Sequence, residues 1–456
     1  MKALKIISII VGVLIALVLV IGCAGIFFTN RYLQTPAFKE EVLKAAREEL
    51  GADVRIDDFK VSLFSGVELR GVTIANPPGF TGNLLTAEAF VLHYHLLPLL
   101  HHRVEIEQLS LDKPVITLSQ NDSKEWNYNS IGAKEGATNQ LPVAGKTPPT
   151  TPAASSPKSS GNIPMDIVLS KLSLTQGAVT LVSGTNKPII EIEGINFTSG
   201  INLIDNKLSG SGKAGIDKVN LANALLIEKI GTPITLGSDE IKLSQLIGEL
   251  AGGKLAGNVT VNLGEALQYA VSLQLTNVDV AKLLQQANAK PVMSGVLAST
   301  TTLTGAGGLP TIIGSGRASI DNGQLMQLPV LNVLATVLQM DALRDLKFSE
   351  CVVEYSISNN VMETPVIRIT SPELQITGSG SLTFEDNNLH HSLTITFAKD
   401  AVGSVPKEVL GLFTEDSNGS LSLTFPVTGP LNSPKTNIAK RLGQQLIKNG
   451  LQKLFQ

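Results

Sequence analysis

An alternation of apolar and polar residues with a period of two runs through most of this chain, from Val54 to Phe425. Successive side chains of a β strand point to opposite faces, so this period predicts strands with one apolar and one polar face. Gly, Asn and Pro interrupt it at short intervals, as in tight turns. The sequence offers too few helical segments to cover so many apolar faces. We therefore predict a mainly β protein with an extended, curved antiparallel sheet, which forms a β-groove with a few short capping helices.

The composition is that of a folded body and excludes several classes of function. Hydrophobic residues make up 43% of the chain and charged residues 16%, which disfavours a disordered protein. The formal net charge of −3 gives no general electrostatic basis for binding nucleic acid. Two cysteines provide no disulfide framework, so burial must hold the fold together. We expect Cys351 to be a small buried apolar residue.

A charge-free apolar run occupies residues 6–28 and follows Lys2 and Lys5. About 20 apolar residues span a bilayer as a helix, and basic residues favour its cytoplasmic side. We therefore expect an uncleaved single-pass signal anchor with a cytoplasmic amino terminus, and the rest of the chain outside the inner membrane. The alternative is a cleaved and lipidated amino terminus at Cys23, because the small residue Gly22 precedes it.

The patterns divide the chain into segments that differ in period and composition. They are a cytoplasmic stub with the transmembrane anchor (1–30), an amino-terminal β unit with a leading amphipathic helix (31–132), a Pro/Ser/Thr-rich linker or mobile loop (133–162), a middle β region with helical insertions (163–250), a carboxy-terminal β region (251–435) and a basic amphipathic tail helix (436–456).

Short helices are predicted where the apolar spacing lengthens to three or four residues. Thr35 and Pro36 match the cap and first turn of the leading helix, and Gly51 matches its end. The remaining predicted helices cover residues 221–230, 241–250, 279–289 and 331–340.

The tripeptide Gly-Ser-Gly occurs at residues 210–212, 314–316 and 378–380, and an acidic residue beside Asn or Lys follows each copy. We interpret this as a recurring hairpin design with its turn at the acidic residue. The first copy, continued to Gly215, also fits a bare dinucleotide-binding pattern. No hydrophobic parallel strand precedes it and no good helix starts on it, which favours the hairpin interpretation.

No catalytic motif stands out, which favours a binding or structural protein over an enzyme and predicts neither cofactor nor metal. His93 and His95 share a face of one strand, and His101 and His102 follow the next turn. A metal site or a hydrolase built on these histidines is one hypothesis, because imidazoles at such spacing can share a metal ion. Polar edge or interface residues are the simpler interpretation.

A groove lined by aliphatic residues suits acyl chains, which offer no hydrogen bonds and gain ~0.8 kcal/mol per buried CH₂ group. A closed β-sandwich filled by its own side chains would show the same alternation, so both remain open. The candidate lipid-facing residues lie in the carboxy-terminal β region, and they are Leu273, Leu275, Leu382, Phe384, Leu393, Ile395, Phe397, Leu421, Leu423 and Phe425.

Two parts of the chain resemble the AsmA family of bacterial envelope proteins. The first contains the membrane run, "VRIDDFKVSLFSGVELRGVTIANPPGF", "HLLPLLHHRVEIEQLSLDKPVITL" and Trp126-Asn127-Tyr128. The second contains "NVDVAKLLQQA", "GSGRASIDNGQL" and "FPVTGPLNSPKTN". The resemblance implies an inner-membrane anchor, a periplasmic body and a relationship to repeating β-groove proteins that carry phospholipids. It also implies a role in phospholipid transport or outer-membrane assembly, and it brings no catalytic residues.

These observations lead us to expect a lipid-binding protein of the AsmA type. Its expected partners are a phospholipid or another acyl lipid, the inner membrane through residues 6–28, and other envelope proteins, but not nucleic acid. The alternative is a non-transporting envelope scaffold or assembly factor that acts through protein contacts at exposed strand edges.

Overall fold

The computed structural model describes residues 35–62, 66–95, 98, 103–129, 131, 166–183, 187–222, 224–264, 267–307, 309–338, 340–397, 410–431, 433–441 and 444. The described chain is mainly β, as predicted. Its helices are α1 (Pro36–Leu50), α2 (Val280–Gln286) and α3 (Pro329–Leu338). Its strands are β1 (Val54–Arg55), β2 (Asp58–Ser62), β3 (Gly66–Ala75), β4 (Asn83–His95), β5 (Arg103–Asp112), β6 (Val115–Ser119), β7 (Asp166–Val182), β8 (Pro188–Ile204), β9 (Lys207–Leu221), β10 (Leu225–Gly237), β11 (Glu240–Leu250), β12 (Gly253–Asn262), β13 (Gln268–Asp279), β14 (Met293–Ala306), β15 (Ile313–Met326), β16 (Asp345–Ser358), β17 (Val361–Thr370), β18 (Leu374–Thr383), β19 (Asn388–Phe397), β20 (Thr414–Glu415), β21 (Leu421–Pro430) and β22 (Lys435–Thr436).

The described residues form two compact units. Unit 1 contains the residues up to Asp217 together with Ile234–Ser238, and unit 2 contains Lys218–Pro233 and the residues from Asp239 onward. Several predicted segments lie outside the described residues, namely the anchor (6–28), the linker (133–162) and most of the tail (436–456). In the part of the chain that is described, none of the helices has the length and apolar character needed to cross a bilayer.

Helix α1 covers the first strands of unit 1 and confirms the predicted leading helix. The amide of Phe38 donates a hydrogen bond to Thr35 Oγ1 (3.3 Å), and Gly51 ends the helix at φ +65°. Its apolar side is buried against β3 and β4, where residues such as Leu69 and Phe90 are at most 4% exposed. The amphipathic pattern of the helix therefore predicts its packed side correctly.

The pairing in unit 1 corrects the prediction of a purely antiparallel sheet. Strand β7 runs parallel to β5 and β6, with Arg103 opposite Asp166 and Ser119 opposite Val182. Parallel neighbours need a crossover connection of a dozen or more residues. The chain between residues 119 and 166 supplies that length and contains the predicted linker. The sheet is therefore mixed.

Residue Asn127 ties this crossover to the strands and is fully buried. Its Nδ2 donates to Asn76 Oδ1 (2.7 Å) and to the Thr117 carbonyl oxygen (2.8 Å), while its Oδ1 accepts from the Ser119 amide (3.1 Å). The Trp126 ring stacks on a neighbouring tyrosine at a centroid distance of 5.6 Å. The Trp-Asn-Tyr stretch therefore has a structural role and holds the crossover against the strands. A buried amide is tolerated only when its donors and acceptors are paired, as they are here.

The two predicted helical insertions, 221–230 and 241–250, are wrong, because these residues lie largely in β10 and β11. Lys229 in β10 (φ 52°) and Gln245 in β11 (φ 55°) both have positive φ, and the register of β11 with β12 shifts between Leu243 and Leu246, which marks a bulge at Gln245. A bulge inserts one extra residue into the alternation. The apolar residues Leu243 and Leu246, which flank the bulge of β11, are consequently three apart. That spacing is typical of a helix, which explains the error at residues 241–250.

Unit 2 is built from consecutive antiparallel hairpins. Strands β11 to β19 pair in chain order, and β21 then pairs with β19. The predicted helices at 279–289 and 331–340 are confirmed by α2 and α3, and Asp279 Oδ1 caps α2 by accepting from the Lys282 amide (3.0 Å). Because the strands alternate in direction, α2 follows β13 and α3 follows β15 at the same ends of the strands. We call this side of unit 2 the helix side.

The Gly-Ser-Gly copies lie inside strands β9, β15 and β18, so the hairpin interpretation needs correction. The turns predicted after the first two copies do not exist, because Asp217 and Asp321 are themselves strand residues. Asn322 beside the second aspartate has φ 50° and forms a bulge within β15. Only the third copy is followed by a turn, at residues 384–387.

Candidate functional site

Unit 2 presents one continuous apolar face. We define the apolar face as the side of β12–β19 and β21 that carries Leu275 and Leu393. Residues directly opposite each other on neighbouring strands share a face of the sheet. One row of this face therefore follows from the pairing, and it contains Leu255, Leu275, Ser299, Ala318, Val353, Ile367, Gly378, Leu393 and Phe425. All the candidate lipid-facing residues except Phe384 lie on the apolar face, and Phe384 directly follows β18.

The apolar face is closed along the helix side by the protein's own side chains. Five candidates there are at most 5% exposed, and they are Ile395, Phe397, Leu421, Leu423 and Phe425. Most of them belong to a cluster with Leu331 and Leu334 of α3, and Leu343 of the following 3-10 turn joins it. These candidates contribute to a filled core in this structure.

The middle of the apolar face is less covered. Four candidates, Leu273, Leu275, Leu382 and Leu393, are only half-buried. A row of half-buried residues crosses the eight strands β12–β19 here, with an aliphatic side chain on seven of them, and we call it the central stripe. It contains Val259, Val271, Leu303, Ile357, Met362, Leu382 and Leu389, with Gly314 between Leu303 and Ile357.

At the strand ends opposite the helix side, large apolar residues become exposed. We call these residues the apolar rim: Leu263 (37% exposed), Phe384 (39%) and Leu431 (55%). Each lies just after the end of a strand, and the strand directions bring all three to the same side of unit 2. Solvent-exposed aliphatic residues gathered on one side are a typical feature of a surface that meets apolar partners.

Two side-chain hydrogen bonds cross the apolar face above glycines. Thr301 Oγ1 and Tyr355 OH are 2.6 Å apart across Gly316, and Thr364 Oγ1 and His391 Nε2 are 2.7 Å apart across Gly380. A Cβ atom at either glycine would overlap the neighbouring ring. This requirement explains why the Gly-Ser-Gly copies in β15 and β18 carry their second glycine.

The pKa of His391 is lowered from its usual value. Burial within the apolar face is the largest cause, the charge of Glu363 opposes it, and His390 adds to it. The adjacent His390 is exposed and points to the polar face. His391 is therefore a titratable side chain that lies among the aliphatic residues of the apolar face.

Two buried threonine hydroxyl groups supply hydrogen bonds between neighbouring strands where a proline lacks a backbone donor. Thr232 precedes Pro233 and donates to the Ser244 carbonyl oxygen (3.0 Å), and Thr364 precedes Pro365 and donates to the Gly380 carbonyl oxygen (3.0 Å). Proline has no amide hydrogen, so the neighbouring strand would otherwise lose a donor. These hydroxyl groups have a structural role.

The histidine hypothesis finds limited geometric support. His93 and His95 are exposed on the same face of β4, and His95 Nε2 lies 3.8 Å from Glu107 Oε2. His101 and His102 lie outside the described residues. Among the residues that are described, no three His, Cys, Asp or Glu side chains are grouped so that they could hold a metal ion.

Cys351 lies on the apolar face and is 6% exposed, which confirms its expected burial. Burial, and secondarily the charge of Glu350, raises the pKa of its thiol to about 11. A thiol in this state is a poor nucleophile at neutral pH, because only the thiolate reacts readily.

Fold and site together define a protein with an extended sheet and an aliphatic face that helices close along one side. The AsmA family model matches residues 1–201 and 201–367. The chain therefore belongs to the AsmA family, and this membership indicates an envelope protein of the AsmA type. Comparisons with the curated proteins and with the solved structures gave no match.

Sequence reasoning missed the polar residues of the apolar face. Thr301, Tyr355 and His391 each occupy a position where the alternation calls for an apolar side chain. That mismatch is a usable signal. Their hydrogen-bonding partners depend on which strands pair and in which register, which a single sequence does not provide.

Proposed function

We propose that this AsmA-family protein is a periplasmic lipid-binding protein, anchored in the inner membrane through residues 6–28, that contributes to phospholipid transport or outer-membrane assembly. It acts by binding and not by catalysis. The observation that carries the proposal is the central stripe, a half-buried aliphatic row that extends across consecutive strands between a helix-covered side and an exposed apolar rim.

The chemistry of the central stripe fits acyl chains. Its residues are branched or unbranched aliphatics, and they provide contact area without requiring hydrogen bonds. Each methylene group that leaves water for such a surface gains ~0.8 kcal/mol, so one long acyl chain gains on the order of 10 kcal/mol before ordering costs. The lipid-facing role narrows to the half-buried candidates Leu273, Leu275, Leu382 and Leu393 and to Phe384 at the rim.

The scaffold alternative relies on exposed strand edges, and the outer edge of β21 is largely occupied. Strand β20 pairs with one end of β21 and β22 with the other. Between them, Arg441 Nη1 donates to the Thr424 carbonyl oxygen (2.7 Å). Because these contacts use the groups that a partner strand would need, they favour the lipid-binding proposal over edge-to-edge pairing at this strand.

The decisive experiment compares two carboxylates on one strand. Leu382→Glu places a charge in the central stripe, and Ser379→Glu places the same charge on the exposed polar face of β18. The full-length protein is purified in mild detergent and its bound lipid is measured by mass spectrometry. We expect wild type and Ser379→Glu to carry phospholipid, and Leu382→Glu to lose at least about tenfold, because a buried carboxylate costs several kcal/mol.

Circular dichroism of each variant controls for folding. Wild-type protein that carries no lipid would overturn the proposal. So would a folded Leu382→Glu variant that retains as much lipid as Ser379→Glu.

A further inference from the structure

A row of polar groups interrupts the apolar face. The pairing aligns Leu273, Thr301, Gly316 and Tyr355 across β13–β16, and Gly380 and His391 continue the row across β18 and β19. On one side of this row lies the central stripe, and on the other lies the row that contains Leu275 and Leu393. We call the hydrogen-bonded residues Thr301, Tyr355, Thr364 and His391 the polar band.

The Thr301–Tyr355 pair has one hydroxyl proton more than it uses. The two hydroxyl groups carry two protons, and their mutual hydrogen bond of 2.6 Å consumes one of them. Whichever residue donates, the other keeps an O–H group that has no acceptor among the described residues. Both side chains are half-buried, so this donor is held at an aliphatic surface and can still be reached.

The Thr364–His391 pair is closed by comparison. The single hydroxyl proton of Thr364 is donated to the Gly380 carbonyl oxygen (3.0 Å), so its oxygen must accept the 2.7 Å bond from His391 Nε2. The proton on Nε2 is thereby assigned from the hydrogen-bond network. This end of the polar band presents no spare hydroxyl donor, and the free donor is localised to Thr301 and Tyr355.

We propose that the spare hydroxyl of Thr301 and Tyr355 recognises the ester carbonyl of an acyl lipid whose chains lie on the apolar face. An ester carbonyl is an acceptor attached directly to an aliphatic chain, so it matches a donor surrounded by aliphatic rows. A dialkyl ether lipid has the same chains and headgroup but lacks this carbonyl. This inference rests on the proposed lipid-binding function and makes Thr301 and Tyr355 its specificity determinants.

The variants follow from the proton count. Thr301→Val or Tyr355→Phe alone leaves one hydroxyl with its proton available, so each single variant keeps the preference for esters. The double variant T301V/Y355F removes both hydroxyl groups. It leaves no unpaired partner behind, so the fold is preserved. Tyr269→Phe is the matched control, because Tyr269 also lies on the apolar face over a glycine, Gly305, outside the polar band.

The experiment offers the full-length protein, delipidated in detergent, an equimolar mixture of dioleoyl phosphatidylethanolamine and its dialkyl ether analogue. Native mass spectrometry counts the two complexes. We expect wild type, both single variants and Tyr269→Phe to prefer the ester about three- to tenfold, the range of one net hydrogen bond. We expect T301V/Y355F to bind both lipids equally.

The possible outcomes distinguish a failure of ester recognition from a failure of the proposed lipid-binding function. Equal binding of both lipids to wild type, or a preference that persists in T301V/Y355F, overturns the recognition of the ester and leaves lipid binding standing. If wild type binds neither lipid, both the proposed function and the inference fail.

Discussion

Replacing Asn127 by Ala should destabilise unit 1 strongly. The side chain is fully buried, and its loss leaves the Ser119 amide and the Thr117 carbonyl without the partners that now lie at 3.1 and 2.8 Å. Each unpaired buried backbone group costs about 1–3 kcal/mol. The third partner, Asn76 Oδ1, is half-buried and can turn to water. We therefore expect the free energy of unfolding of unit 1 to fall by about 3 kcal/mol.

The chain offers its own probe for this measurement. Its single tryptophan, Trp126, precedes Asn127 and stacks on Tyr128, so its fluorescence reports the unfolding of this part of unit 1. With a urea dependence of about 2 kcal/mol per molar, the loss corresponds to a midpoint lowered by about 1.5 M. The control is Asn121→Ala, because Asn121 Oδ1 accepts from the Glu125 amide (2.9 Å) in a turn that water can reach. A midpoint for Asn127→Ala that matches both wild type and this control would refute the buried network.

Further predictions concern single positions in both units. In a Cys23→Ser background, Cys351 of the folded protein should react with a thiol reagent at pH 8 at least a hundredfold more slowly than Cys351 of the urea-unfolded protein. The reason is that its pKa of about 11 leaves only about 0.1% thiolate at this pH. Equal rates would contradict the burial of Cys351. Because the folded chain lowers the pKa of His391, the unfolded chain binds this proton more tightly. The free energy of unfolding should therefore fall as the pH is lowered through about 6.5. Urea titrations at several pH values measure this loss, and the His391→Gln variant should lack the part that His391 causes. A pH profile of the variant identical to that of wild type would contradict this assignment. Gly71→Ala should lower the free energy of unfolding by at least about 1–2 kcal/mol, because Gly71 has φ +60° and an added Cβ would overlap the Asp57 carboxylate; a stability equal to wild type in the tryptophan assay would show that the backbone relaxes there.

Local patterns predict the elements of this fold well where their period is undisturbed. The caps Thr35 and Asp279 mark the starts of α1 and α2 because capping depends on one side chain and a nearby amide. The bulge at Gln245 leads to a wrong prediction from periodicity, since one inserted residue converts a spacing of two into a spacing of three. Strand or helix is then decided by pairing with neighbouring strands, which is not local information.

The sequence alone also does not show which strands of the sheet pair with each other. The chain between 119 and 166 is long enough either for a loop between antiparallel strands or for a crossover, and only the register of Arg103 opposite Asp166 shows that it is a crossover. The Gly-Ser-Gly copies pose the same difficulty. Their glycines can be explained only after Tyr355 and His391 are known to lie across from them.

Local sequence information predicts one property of the candidate site, and long-range contacts decide another. Alternation alone places the candidate residues on one face, because a face follows from the period of two. Whether a residue on that face is core or accessible depends on distant segments such as α3, which buries Ile395 and Phe425 and leaves Leu382 half-buried. The polar band is evidence that the middle of the face is accessible. A closed core would gain nothing from a hydroxyl proton without an acceptor, and burying one costs free energy. At an accessible aliphatic surface, water accepts this hydrogen bond until a ligand supplies the acceptor, so the spare donor of Thr301 and Tyr355 fits a face whose middle is used for binding.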